Sequence, residues 1–355
     1  MLLLAAKIAL LSSVHGQLSV NENATWMGLR SSIATLSQNG FAVGPAAFIS
    51  ADGYAVANTL VVERGAKDLV TSSGLVYKFR VEATDAASQL CLLKTTMKPV
   101  GITFVRPADR SDGQQGTILA IVPRQVFRAE LTNHEKIGID QKTKRTFPIQ
   151  EVRVEQPPIQ MGGALLFSQN GRLIGGLFAA LAQEVSNQNG GQSTTFTQNQ
   201  KTQGLPFNNT QNGAQRNLGP QGLVVGYTPT WEVTSKAIYG FLTPQKKVQY
   251  GVIGVYIFDN RFGGVEIQSI KKGSSADEAG LEVGDVILDI GGATIRNQID
   301  FSRATYRMIP GSEILMKVRR KIEVITYKVI VGSQLAELGA NQQFSTAQSA
   351  SLETH

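Results

Sequence analysis

The sequence predicts a mostly β protein that ends in a smaller α/β unit, and three observations carry that expectation. Thirty-six glycines in 355 residues, with an aromatic share of only 7%, suit many turns between short strands better than long helices. Short apolar runs, such as Ala46 to Ile49, Gly116 to Val122 and Arg172 to Leu181, recur between residues 26 and 182 and are set apart by turn pairs such as Asp52-Gly53 and Asn170-Gly171. Beyond residue 250, strand-like runs alternate with two short helical patterns. A chain of 355 residues is long enough for two domains, each with its own core.

Taken in order, the chain opens on Met1 to Leu11, nearly all apolar, and Val14-His15-Gly16 offers permissive residues before a cut ahead of Gln17. Residues 1–16 therefore read as an export signal. Lys7 interrupts the apolar run and no basic segment precedes it, so retention as an anchor stands beside cleavage. No later stretch reaches the roughly 18 apolar residues that span a bilayer, and the mature protein is expected in the periplasm or cell envelope. Residues 26–243 carry the barrel-like rhythm, interrupted at 183–219 by a segment of Asn, Gln, Gly, Ser and Thr. Such a segment buries too little to offset its ordering entropy and is expected to be a disordered insertion. Leu223 to Tyr227 restores a strand, and a helix should follow from near Pro229, with Val233, Ala237, Ile238 and Phe241 at helical spacing. Residues 249–333 form the compact α/β unit, and residues 334–355 a polar, flexible tail.

Composition excludes several function classes. The formal charge of +7 is spread along the chain, its densest runs Lys246-Lys247, Lys271-Lys272 and Arg319-Arg320-Lys321 lacking interleaved aromatics. That is a solvated basic surface rather than a nucleic-acid site. A single cysteine, Cys91, rules out an intramolecular disulfide and a cysteine-built metal site. Its neighbours Leu90, Leu92 and Leu93 make it a buried strand thiol. The histidines are His15, His134 and His355, so no metal site and no cofactor are expected.

Several strings then occur in a telling order. Gly44-Pro45-Ala46-Ala47-Phe48-Ile49-Ser50-Ala51-Asp52-Gly53-Tyr54 is followed by Asp85 to Lys94, by Gln160-Met161-Gly162-Gly163-Ala164-Leu165 with Asn170-Gly171-Arg172-Leu173-Ile174-Gly175, and by Gly226-Tyr227-Thr228-Pro229. This ordered set resembles the protease barrel of the HtrA family, trypsin-like serine proteases with a C-terminal PDZ domain. The resemblance implies a trypsin-like double β-barrel followed by an α/β PDZ domain, and relatives that commonly assemble as trimers through their barrels.

Where the resemblance calls for chemistry, the residues are wrong. The general base falls at Leu60, its orienting aspartate at Gln89, the serine nucleophile at Met161 and the oxyanion-hole glycine at Ile159. Acyl transfer needs a nucleophilic oxygen or sulfur, a base in reach and preorganised N–H donors. Leucine accepts no proton and a thioether has none to give. His134, in Leu131 to Lys136, falls in the second barrel half, whereas the family's base comes from the first, so it reads as a solvated loop histidine. Glu63, Asp85 and Glu155 are scattered acids that act only if they converge on one bond.

The PDZ-like half keeps more of its pattern. Gly251-Val252-Ile253-Gly254-Val255 resembles the loop whose successive N–H groups hold a peptide carboxylate. Gly273 to Leu281 gives a turn, a short helix and a glycine stop, and Val283 to Gly292 is the most family-specific string. A second helix is expected from Gln298 to Met308, with Phe301, Ala304 or Thr305, and Met308 on one face. Those residues line a peptide groove or simply bury a helix face. The expectation is thus a pseudoprotease that captures free, apolar peptide or protein C-termini, with Gly251, Val252, Ile253, Gly254, Val255, Phe301, Thr305 and Met308 as binding residues. The alternative is a serine-type endopeptidase acting through non-standard residues.

Overall fold

The computed structural model describes residues 18–123, 125–139, 146–155, 162–178, 196–197 and 223–333. Two compact units meet in sequence between Lys246 and Lys247.

The first unit opens with helix α1 (Val20–Leu29), which the sequence reading does not anticipate. Its start is a capping box: Glu22 N–H donates to Ser19 Oγ at 3.3 Å, and Ser19 N–H donates to Glu22 Oε2 at 2.6 Å. The strands β1 (Ile33–Gln38), β2 (Phe41–Phe48), β3 (Tyr54–Asn58), β4 (Asp68–Thr71), β5 (Val76–Asp85) and β6 (Leu90–Thr95) close into a barrel in the order β1-β2-β3-β6-β5-β4. A one-turn helix, α2 (Thr59–Glu63), follows β3. Leu36, Phe48, Leu69, Cys91 and Leu93 fill the barrel. Leu90 to Leu93 are all buried, so β6 is apolar on both faces and reads as a continuous run rather than an alternation.

A second sheet follows from β7 (Gly116–Val122), β8 (Gln125–Ile139), β9 (Thr146–Glu155), β10 (Leu165–Phe167), β11 (Leu173–Gly176), β12 (Phe196–Thr197) and β13 (Leu223–Pro229). Its order is β11-β10-β7-β8-β9-β13, with β12 added parallel to β8. Within the insertion expected to be disordered, β12 is thus a short strand; the rest of 183–219, like residues 1–16 and 334–355, lies outside the described residues. Pro229 ends β13 instead of opening the helix, and α3 (Trp231–Leu242) starts after Thr230. Val233, Ala237, Ile238 and Phe241 are its buried stripe, as the spacing predicts.

The second unit has a two-stranded pair, β14 (Gly251–Val252) with β21 (Gly332–Ser333), and a sheet of β15 (Val255–Asp259), β16 (Val265–Ile270), β17 (Val286–Ile290), β18 (Ala293–Thr294), β19 (Glu313–Arg320) and β20 (Glu323–Ile330). The order is β15-β16-β17-β19-β20, which leaves β15 at an edge. Helices α4 (Ser275–Glu278) and α5 (Gln298–Arg307) complete it. Asn297 caps α5 by accepting from Asp300 N–H at 3.0 Å, and Met308, expected as its last residue, is instead extended. Val265, Ile267, Ile287, Met316, Val318 and Val329 form the centre of the core.

Candidate functional site

The barrel positions that would carry chemistry are assembled by backbone. Asn58 Oδ1 accepts from Leu60 N–H at 3.0 Å and so starts α2, and Thr59 N–H donates to Gln89 O at 2.9 Å. Register across β3 and β6 sets Asn58 opposite Leu90, so Leu60 and Gln89 lie just beyond the same end of that strand pair. Both are half-buried, and Gln89 has φ +56, a left-handed conformation uncommon outside glycine. Met161 and Ile159 lie outside the described residues, but Gly162 is held here: Arg64 Nη1 donates to its carbonyl at 3.0 Å and reaches Val43 O at 3.5 Å. Partial withdrawal from water pulls the Arg64 pKa below the usual arginine value. The side chain of Val61, fully buried, occupies the space over Gly44 and Gly163, where an added Cβ would come within 2.3 and 2.7 Å of it.

The remaining candidates do not join this cluster. His134 stands on strand β8, not in a loop, and is largely exposed; its Nδ1 lies 3.3 Å from Arg153 Nη2 and 3.6 Å from Glu151 Oε1. Asp85 is buried and accepts from Ser88 N–H at 2.8 Å, a turn-building role, while Glu63 is exposed. The side chain of Glu155 lies outside the described residues. Cys91 is buried in β6, and burial pushes its pKa up to about 12, so the thiol stays protonated. Among the described residues no three His, Cys, Asp or Glu side chains gather to hold a metal ion, and no helix is long and apolar enough to cross a membrane.

In the second unit the predicted carboxylate loop leads into the edge of the sheet. Gly254 turns at φ +78, a conformation that L residues rarely adopt, and its carbonyl accepts from Lys271 N–H at 2.9 Å. Gly251 packs so closely that a Cβ would meet Met308 Cβ and Val331 Cγ1 at 2.6 Å. Ile253, Phe301 and Met308 belong to the core, with 3, 7 and 4% of their surface exposed. Of the predicted groove residues, Val252, Gly254, Val255 and Thr305 are half-buried. Asp259 Oδ1 accepts from Gln298 N–H at 2.6 Å and ties the far end of β15 to the start of α5. A shallow depression of about 300 Å³, lined by Gly254, Val255, Tyr256, Ser269, Ile270 and Lys271, opens on the β15–β16 hairpin. The flanking aromatics Tyr256 and Phe258 escape the sequence reading, although the alternation of Val255-Tyr256-Ile257-Phe258 contains them.

Comparison with known proteins bears on both units. Residues 251–331 match the PDZ domain family model. No curated protein matches the sequence. Among solved structures, the HtrA-type protease AlgW with decapeptide is similar over 89% of this chain and 99% of its own, at TM-score 0.58 and 16% identity. AlgW with tripeptide is similar over 88 and 97%, at TM-score 0.58 and 18% identity. The serine endoprotease from Yersinia pestis covers 89 and 99%, at TM-score 0.52 and 13% identity. Residues 251–331 thus belong to the PDZ domain family, and the chain as a whole has the fold of HtrA-type proteases, a trypsin-like double barrel followed by that domain.

Proposed function

We propose that this chain is a non-catalytic member of the HtrA-type fold, exported to the cell envelope, whose PDZ domain captures the free carboxyl ends of peptides or proteins with apolar terminal residues. The observation that carries the reading is β15, an edge strand entered through the Gly254 turn. An edge strand offers a row of main-chain donors and acceptors to an added strand, and a glycine turn lets a carboxylate approach backbone N–H groups. Two of the similar structures are described with peptides, a decapeptide and a tripeptide.

The absence of catalysis rests on residue identity. Leu60 and Gln89 stand where a base and its orienting carboxylate would be, and Met161 offers a thioether in place of a hydroxyl. Export rests on the apolar run Met1 to Leu11. Self-association through the barrel, as a trimer, is the arrangement the resemblance implies.

The test uses fluorescent decapeptides ending in Val, Leu, Ile or Phe, each as free acid and as C-terminal amide, titrated against the full chain. Hydrogen bonds to a charged acceptor contribute about 1.5–3 kcal/mol, so amidation should weaken binding at least about tenfold. Equal affinity of acids and amides, or no binding across the panel, overturns the reading.

A further inference from the structure

The sheet of the second unit has another edge, far from β15. β20 ends the order β15-β16-β17-β19-β20 and pairs with β19 over its whole length, from Glu313 opposite Ile330 to Arg320 opposite Glu323. Val331 N–H donates to Ser312 O at 2.9 Å, and the carbonyl of Leu315, opposite Lys328, accepts from Gly291 N–H at 2.8 Å on the far side of β19. Antiparallel alternation then gives the N–H and C=O of Ile325, Tyr327 and Val329 to β19, and turns those of Val324, Thr326, Lys328 and Ile330 to the free edge. The edge strand β15 is interrupted by a register shift between Tyr256 and Ile257, whereas β20 has no shift, no proline and no glycine. A regular edge rich in β-branched residues and without such guards offers itself to an added strand.

The side chains of β20 say which strand fits. Val324, Thr326, Lys328 and Ile330 stand on the outer face, Val324 61% and Ile330 54% exposed, while Ile325, Tyr327 and Val329 pack against the core. Both rows read alike from either end: apolar, polar, polar, apolar outside, and apolar, aromatic, apolar inside. A two-fold antiparallel contact between identical strands requires that property, since each residue meets the one at the mirrored position. With the axis at Tyr327, Val324 lies opposite Ile330 of a second copy and Thr326 opposite its Lys328, and the two Tyr327 side chains meet in a non-hydrogen-bonded pair, the closer kind. Charge and length select this register. Lys328 is held by Glu313 at 3.3 Å and faces a hydroxyl, whereas an axis at Lys328 sets two ammonium groups against each other. An axis at Thr326 carries Ile330 past the strand, opposite the turn at Ile322.

We propose that β20 is a self-association edge, on which a second copy of this chain pairs antiparallel about Tyr327 and joins two sheets into one. Each copy keeps its β15 edge free at an outer end of the joined sheet. A contact of one strand from each partner is small and belongs to the transient class, so its population rises with protein concentration. The pairing does not depend on peptide capture; where both hold, the dimer carries two capture edges.

The experiment follows self-association of the full chain by sedimentation velocity over a concentration series, for the parent, Thr326→Glu and Thr326→Lys. Thr326 faces Lys328 of the other copy and the axis repeats that pair, so glutamate should tighten association about tenfold and lysine weaken it about tenfold. Thr326 is exposed, so neither change removes core. A crosslinker reads the register: Thr326→Cys and Val324→Cys are treated with a bismaleimide that reaches only diagonal neighbours, about 7–8 Å. Two copies of Thr326→Cys should join as a dimer on a denaturing gel, whereas the two Val324 positions stand six residues apart along the pair, about 20 Å, and should not. Cys91 is buried and stays silent. No crosslinked dimer, equal crosslinking of the two variants, or lysine and glutamate acting in the same direction overturns the proposal. A trimer through the barrel leaves each of these contrasts unchanged.

Discussion

Replacing Asp285 by alanine should destabilise the second unit more than any surface change. Asp285 is 1% exposed and holds Arg320 by two parallel bonds, Nε to Oδ1 at 2.7 Å and Nη2 to Oδ2 at 2.8 Å. Its Oδ2 also accepts from Glu282 N–H at 2.9 Å. The hydrogen bonds that Arg320 donates to Asp285, ahead of the charge of that carboxylate, raise the already high pKa of Arg320, so the guanidinium stays charged throughout. Removing one partner of a buried pair costs about 3–5 kcal/mol because the other charge is stranded. Arg320 keeps a quarter of its side chain in water and retains Glu282 Oε1 at 2.7 Å and Gly280 O at 3.0 Å, which places the cost at the low end, about 3 kcal/mol. For a unit of this size that lowers Tm by about 12–24 °C. Calorimetry of the full chain should show one transition moved and the other unchanged. Asp285→Ala with Arg320→Met should recover part of the loss, since no charge is then stranded. A shift under about 4 °C, or a double variant as unstable as the two single losses added, would refute the reasoning.

Two further outcomes concern the first unit. The purified chain should not cleave unfolded casein, and Met161→Ser should not make it do so, because the new hydroxyl still lacks a base at Leu60 and a glycine at Ile159; casein cleavage by Met161→Ser at a rate above the parent would contradict this. Cys91 should resist a disulfide reagent at pH 8 until the barrel unfolds. Its pKa is raised in the fold from 9.0 to about 12, first by burial, so between those values the unfolded chain releases a proton that the folded chain keeps, and stability falls as pH rises across that window. Native-state labelling at the rate of a free thiol would show that the strand opens without unfolding.

Most of the architecture is legible in the sequence because period and punctuation agree over long stretches. The strands of both barrel halves lie between turn pairs, and the buried stripe of α3 follows its 3.6 spacing. Where the reading fails, a local signal is outweighed or unread. Helix α1 has almost no apolar stripe to reveal it, yet Ser19 and Glu22 carry the Ser-x-x-Glu spacing of a capping box. Pro229 resembles a helix opener in isolation, but tertiary pairing with Ile149 draws it into β13. His134 sits in a polar string typical of loops, and only the long β8 ladder shows that it lies on a strand.

The face proposed to bind peptides is partly hidden in the sequence for a different reason. Phe301 and Met308 recur one helical face apart, and that spacing is the same whether a helix lines a groove or covers a core; both are buried in the core cluster of the second unit. Val255 to Phe258 are four apolar residues in a row, so polarity does not say which pair faces out. The register against β16 and the position of α5 say it. The barrel site teaches the converse. What gathers Leu60, Gln89 and Gly162 is the Asn58 cap, the Thr59 to Gln89 main-chain bond and the Arg64 clamp on a carbonyl. Two of these end on main-chain carbonyls and the third on a main-chain N–H, so none requires a catalytic side chain at positions 60 or 89. A barrel held in this way keeps its geometry whichever side chains stand at those positions. Fold similarity at 13–18% identity therefore carries the scaffold and not the reaction, and the question of activity turns on what leucine, glutamine and methionine can do with a proton.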